Sequence, residues 1–305
     1  MEGIIPLYKP KGLTSHDCVF KLRKILHMKR IGHTGTLDPD VTGVLPICIG
    51  RATKVAEYIT DAGKAYEGEV TIGFSTSTED ASGEIIERKV IDRDIDRSEI
   101  LKVLNDLTGS IKQTPPMYSA VKVNGKKLYE YARQGIEVER PTRAVTIYSI
   151  DLLDDRKYFS GEQISFRFRV SCSKGTYIRT LAVMIGEALG YPAHMSDLSR
   201  IQSAAFSLTD CFTFEEIEAK MTDGTIEDIL YPIEAALSHL PKYMISDKIA
   251  EKVKNGAVLP IPDTCKHEKD PIVVETEAGK ALAIYIHHPE KPGLMKPSKV
   301  LRSIE

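Results

Sequence analysis

Two stretches of the chain alternate apolar and polar residues with a period of two. In the first, Tyr66, Gly68, Val70, Ile72 and Phe74 alternate with Glu67, Glu69 and Thr71. In the second, Ile164, Phe166, Phe168 and Val170 alternate with Ser165, Arg167, Arg169 and Ser171. Successive strand side chains point to opposite faces, so each stretch predicts a strand with one face toward a core. The outward face of the second strand is basic. Further strands are predicted at 3–8, 143–153, 272–274 and 282–286, and Asn124-Gly125 predicts a hairpin turn. Apolar spacing predicts helices over 15–28 with Ser15 as N-cap, and over 98–107, 176–189, 214–221 and 246–254. A further helix runs to about 134, where Gly135 stops it. The Gly-, Thr- and Pro-rich 29–50 segment reads as largely loop, and the acidic 75–95 segment as surface loop. Strands and helices mix without regular βαβ alternation, which favours an α+β fold over a doubly wound sheet.

Composition narrows the class. Hydrophobic residues make up 42% and charged residues 28% of the 305, enough for a sizeable core in one large or two unequal domains. The net charge of -2 is not that of a nucleic-acid binder, but binding depends on where charges lie. Residues 1–66 carry ten Lys or Arg against six Asp or Glu, and residues 79–99 hold an acidic cluster that includes Glu79, Asp80 and Glu84. The five Cys have no metal-ligand spacing, and an odd count argues against a disulfide framework. The N-terminus lacks the pattern of a signal peptide, and no apolar run approaches the roughly 20 residues of a membrane span. These features predict a soluble, cytoplasmic protein without a metal site.

The densest chemistry lies in Gly32-His33-Thr34-Gly35-Thr36-Leu37-Asp38-Pro39. Loops held by a rigid scaffold concentrate catalytic groups. Taken alone, an Asp in such a loop is more readily a turn former, bonding nearby backbone N–H groups. Its company changes that balance. Lys9-Pro10-x-Gly12-x-Thr14-Ser15 precedes the loop, and Thr42-Gly43-Val44-Leu45-Pro46 and Lys64-Ala65-Tyr66 follow it. Farther on come Pro115-Pro116-x-Tyr118-Ser119-Ala120-x-Lys122 and Cys172-Ser173-Lys174-Gly175-Thr176-Tyr177-Ile178-Arg179. In this ordered set the chain resembles the TruB family of tRNA pseudouridine synthases, which act on uridine 55 of the T loop.

The resemblance implies a pseudouridine synthase fold with a mixed, largely antiparallel central sheet and flanking helices. It assigns residues 1–240 to a catalytic domain and 241–305 to a small β-rich, PUA-like RNA-binding domain, the latter on Lys254-Asn255-Gly256-x-x-Leu259-Pro260 and the strands that follow. It implies Asp38 as the catalytic carboxylate, Arg179 as its cationic partner and Tyr66 as the ring stacked on the target base. His33 would help keep the base flipped out, Leu198 would line its pocket, and Lys9 would support the loop or meet phosphate. Ser199, Ala204 and Ala205 depart from the family's Arg, Gly and Pro, which weakens any RNA contact at 199. The implied partner is the tRNA T stem-loop, met by a monomer that needs no cofactor, membrane or protein partner. Dispersed cations, among them Lys54, Arg167 and Arg169, would meet phosphates with steep salt dependence. Two other classes are weighed: a non-catalytic RNA-binding or tRNA-folding protein, against which intact Asp38, Tyr66 and Arg179 argue, and an N-glycosidic hydrolase, whose nearest second carboxylate is Asp40.

Overall fold

The computed structural model describes residues 1–268 and 271–302. In chain order its main strands are β1 (Gly3–Lys9), β2 (Ile31–His33), β3 (Thr42–Ile49), β4 (Lys64–Ile72), β5 (Gly109–Gln113), β6 (Arg143–Leu152), β7 (Ile164–Cys172), β8 (Ala193–Ser203), β9 (Lys242–Ile245), β10 (Leu259–Pro260), β11 (Ile272–Thr276), β12 (Ala281–His287) and β13 (Leu294–Val300). Its main helices are α1 (Ser15–Ile25), α2 (Ala56–Asp61), α3 (Arg97–Asp106), α4 (Leu128–Arg133), α5 (Ile178–Leu189), α6 (Phe214–Thr222) and α7 (Asp247–Lys254). The chain forms two compact units: Met1–Pro39, Val44–Ala62 and Ser203–Glu305 in one, Asp40–Gly43 and Gly63–Gln202 in the other.

In the first unit α1 begins at a capping box. Thr14, not Ser15, is the N-cap: its side chain accepts from the Asp17 backbone and the Asp17 side chain accepts in return. Cys18, Val19 and Leu22 form the buried face, and the helix stops at Ile25, three residues short of the expected end. His27 takes a left-handed φ of 51°, which no helix continues through. The expected loop over 29–50 is mostly strand. β2 pairs antiparallel with β3, Ile31 opposite Ile49 and His33 opposite Ile47, which leaves 34–41 as the true loop. Gly and Pro hid this strand, because both read as breakers from sequence alone.

In the second unit β7 and β4 pair antiparallel from Ile164–Ile72 to Cys172–Lys64, as both alternations anticipate. The basic face of β7 is partly paired, however. Arg167 lies opposite Glu69 and Arg169 opposite Glu67, and the Glu67 carboxylate is 2.6 Å from Arg169 and 3.8 Å from Arg167. β6 pairs antiparallel with β7 and with β5. α5 packs on β4 and α3, and Leu181 and Ile185 of α5 and Leu104 of α3 are buried. The 75–95 segment is not all loop: Phe74–Thr76 and Ile85–Arg88 form an antiparallel pair. The hairpin at Asn124-Gly125 is present, with φ of 51° and 82° at the two turn residues.

Thr42 and Gly43, which also belong to this unit, run parallel to Ser199 and Arg200 of β8. A side chain at Gly43 would collide with the Arg200 backbone, a Cβ there lying 2.2 Å from its carbonyl oxygen. The sheet is therefore mixed and largely antiparallel, and the fold is α+β.

The C-terminal strands form a five-stranded sheet in the order β9-β11-β12-β13-β10, with β9 and β11 parallel and the other pairs antiparallel. Its alternation buries both faces. Ile272, Val274, Ala283 and Tyr285 pack with Val253 of α7 and Met295, while Val273, Ile284 and Leu301 join Ile4, Val44, Val55 and Leu237 in a second cluster. No helix among the described residues is long and apolar enough to cross a membrane.

Candidate active site

The Asp38 loop is held from beneath by the segment that precedes α1. Lys9 ends β1 with 0% exposure, and its ammonium donates to the carbonyls of Pro10 and Pro39, each at 2.9 Å. The Gly12 N–H donates to the same Pro39 carbonyl at 2.9 Å. Ser15, free of the cap role taken by Thr14, accepts from the Leu37 N–H at 2.9 Å and donates to the Leu37 carbonyl at 3.3 Å. Thr34, at the start of the loop, gives both its N–H and its hydroxyl to the Pro46 carbonyl, at 3.2 and 3.0 Å. The residues on either side of Asp38 are thus tied by hydrogen bonds, Leu37 through Ser15 and Pro39 through Lys9 and Gly12. Half-buried His33 enters the loop from β2.

In the second unit, Tyr66 sits on β4 opposite Val170 and is buried. Gly68 follows two positions later on the same strand face. A Cβ there would lie 3.1 Å from Leu198 Cδ1, so the absence of a side chain at 68 lets buried Leu198 approach that face. Arg179 occupies the first turn of α5 and is only 7% exposed, unlike a solvated helix Arg. Its guanidinium donates to the carbonyls of Thr78 at 3.1 Å and Tyr118 at 2.9 Å, and Nη1 lies 3.6 Å from Asp80 Oδ2. No side chain caps this helix, but Gln113 of β5 fixes its start, accepting from the Tyr177 N–H at 3.0 Å and donating to the Tyr177 carbonyl at 3.2 Å.

Thr78-Glu79-Asp80 is the group the sequence did not single out, because it lies inside an acidic run that reads as surface. Glu79 accepts from the Thr180 hydroxyl at 2.8 Å. Burial pushes its carboxyl above the usual range, against the opposing pull of that hydrogen bond and of the Arg179 and Arg140 charges. Three consecutive residues therefore seat the first turn of α5 through a carbonyl and two carboxylates. Among the described residues no cluster of His, Cys, Asp or Glu is arranged to hold a metal ion.

Two family models match the chain. One, described as TruB family pseudouridylate synthase (N terminal domain), matches residues 23–178, and the other, tRNA pseudouridylate synthase B C-terminal domain, matches residues 179–238. A tRNA pseudouridine synthase B from Geobacillus thermodenitrificans (strain NG80-2) is 63% identical over 302 residues, covering 99% of this chain and 100% of the relative. One of the same name from Bacillus cereus (strain ATCC 14579) is also 63% identical, covering 99% of this chain and 97% of the relative. Among solved structures, a Cbf5-Nop10-Gar1 complex matches with a TM-score of 0.76 at 29% identity, covering 99% of this chain and 85% of that one. An H/ACA RNP bound to a substrate RNA containing 2'-deoxyuridine matches at 0.73 and 27%, covering 98% and 85%.

Proposed function

The chain belongs to the TruB family of pseudouridine synthases, and from that premise we propose that it isomerises uridine 55 of the tRNA T loop, with Asp38 acting at C1′ or C2′ of the target nucleotide. At the coarser level it is an isomerase that modifies tRNA. The reaction breaks the N1–C1′ bond and joins C1′ to C5 of the same base. Substrate and product are isomers, so the bond changes require no metal, nucleotide or redox cofactor.

A base inside a stack cannot reach a carboxylate, so the uridine is flipped out before reaction. A tRNA loop with unstacked bases lowers that cost. Asp38 then attacks C1′ as a nucleophile, or takes the 2′ proton to give a glycal-like intermediate. Tyr66 stacks on the base, Leu198 lines its pocket, Arg179 pairs with the Asp and the nucleotide, and His33 helps keep the base out. Lys9 supports the loop, since its ammonium is engaged by the Pro10 and Pro39 carbonyls. Residues 1–240 carry the chemistry. Residues 241–305 act as a PUA-like RNA grip, a role supported by exposed Lys248, Lys252, Lys280 and Lys291; residues 269–270 and 303–305 lie outside the described residues. The enzyme works as a monomer in the cytoplasm.

The observation that carries the assignment is the clamp on both neighbours of Asp38, Leu37 through Ser15 and Pro39 through Lys9 and Gly12. Reacting groups are worth most when their geometry is fixed in advance, and a mere turn former needs no such double anchorage. The test is Asp38→Asn on a T stem-loop transcript, followed by chemical mapping of pseudouridine. Product should be abolished while RNA affinity stays within about tenfold. Turnover by this variant would remove Asp38 from the role.

A further inference from the structure

We propose that Ser15 is a positioning residue for the reaction, holding Asp38 in register through its two hydrogen bonds to the Leu37 backbone. The inference rests on the assignment of Asp38 as the reacting carboxylate.

Ser15 is 1% exposed, and its hydroxyl meets the loop 22 positions along the chain. The first place to look for its use is the N-cap of α1, and that use is absent, because Thr14 accepts from the Asp17 N–H at 3.0 Å. Instead the hydroxyl reaches Leu37, accepting from its N–H and donating to its carbonyl. A single side chain bonded to both polar groups of one residue fixes the orientation of that residue's peptides, and Leu37 is itself buried at 4% exposure. The Leu37 carbonyl belongs to the peptide that enters Asp38, and the Pro39 carbonyl held by Lys9 and Gly12 lies just beyond its exit. Loss of the Ser15 hydroxyl frees the entry side while the exit side stays tied.

A displacement of about 1 Å at a reacting group can cost about a hundredfold in rate. Ser15→Ala is therefore expected to lower the single-turnover rate at saturating enzyme by about ten- to a hundredfold, with the Kd for a T stem-loop transcript unchanged within about threefold. Ser15→Cys keeps the unbranched shape, with a slightly larger atom that is a weak donor and acceptor, and should recover part of the rate. Thr14→Ala separates positioning from helix stability, since it removes the cap of the same helix but leaves the Leu37 bonds intact. It should lower Tm and leave the rate near that of the parent.

A parent-like rate in Ser15→Ala overturns the proposal. So does a rate that falls in step with Tm across both Ala variants, or a Cys variant no faster than Ala. Asp38→Asn, run alongside, separates the two readings. If it is inactive while Ser15→Ala is fully active, only the role of Ser15 falls; if it remains active, both fall.

Discussion

Glu79 joins a left-handed backbone, at φ 64°, to a half-buried carboxyl whose ordinary value of 4.5 is raised by desolvation. A raised carboxyl value means the folded state prefers the protonated form. The contribution to stability is full below the ordinary value and is lost as pH rises through the folded one. At neutral pH the charge is a liability, even with the Thr180 hydroxyl bonded to it. Glu79→Gln should therefore raise Tm at pH 7 by about 2 °C and bring little or no gain near pH 4. Thermal melts across that range check this, and an equal or lower Tm at pH 7 would sink it. The same residue shows where the sequence stopped being readable. Asp38, Arg179 and Tyr66 stand out as motif members, whereas Glu79 and Asp80 vanish into a run of acids. Ser15 was legible only as a helix cap, because nothing in its neighbourhood along the chain points to Leu37.

At the scale of elements, strand alternation was a sound guide where one face is buried and the other wet, as in β4 and β7. It failed for β3 and β8. β3 is buried along nearly its whole length, so nothing alternates, and it contains a Gly and a Pro. β8, which carries Leu198, is written in mixed polar and apolar residues that no period of two describes. What lets these two strands meet is Gly43. Its φ of 110° and the 2.2 Å clearance to the Arg200 carbonyl exclude any side chain. Gly43→Ala should cost about 3 kcal/mol or more, read as a fall in denaturant midpoint, because both strain and a backbone clash oppose it. A parent-like midpoint would show that the parallel Thr42-Gly43/Ser199-Arg200 pairing is dispensable. Ala204 is the converse case: where the family pattern has Gly, this chain places Ala at a left-handed φ of 54°.

For the molecule as a whole, the C-terminal strands are more than an appended module. Val273, Ile284 and Leu301 pack in one cluster with Ile4, Val44 and Leu237. Lys54 donates to the Val300 carbonyl at 2.6 Å, and Arg302 pairs with Glu234 at 2.8 Å. Removing residues 242–305 would expose this apolar surface and break these ties. The truncated chain should be insoluble or show no cooperative melt. A soluble truncation that melts cooperatively, with reduced RNA affinity, would contradict this and favour a separable tail. Lys54, one of the cations expected to meet phosphate, is instead committed to this tail contact, and Arg167 and Arg169 are matched by Glu67.

The linear chain by itself determined the α+β class, most strand and helix positions, the family, and the identity of the residues proposed to react. These depend on local periodicity and on motifs whose members lie within a few residues of one another. Only the tertiary structure decided which hydroxyl caps α1 and which is sent to Leu37, which arginines share a carboxylate across a strand pair, and which carboxylate meets Arg179. Apart from the cap itself, these are choices between partners 22 to 102 positions apart along the chain. A hydrogen-bonding group is satisfied by whatever the fold brings within about 3 Å, and one-dimensional sequence does not contain that distance.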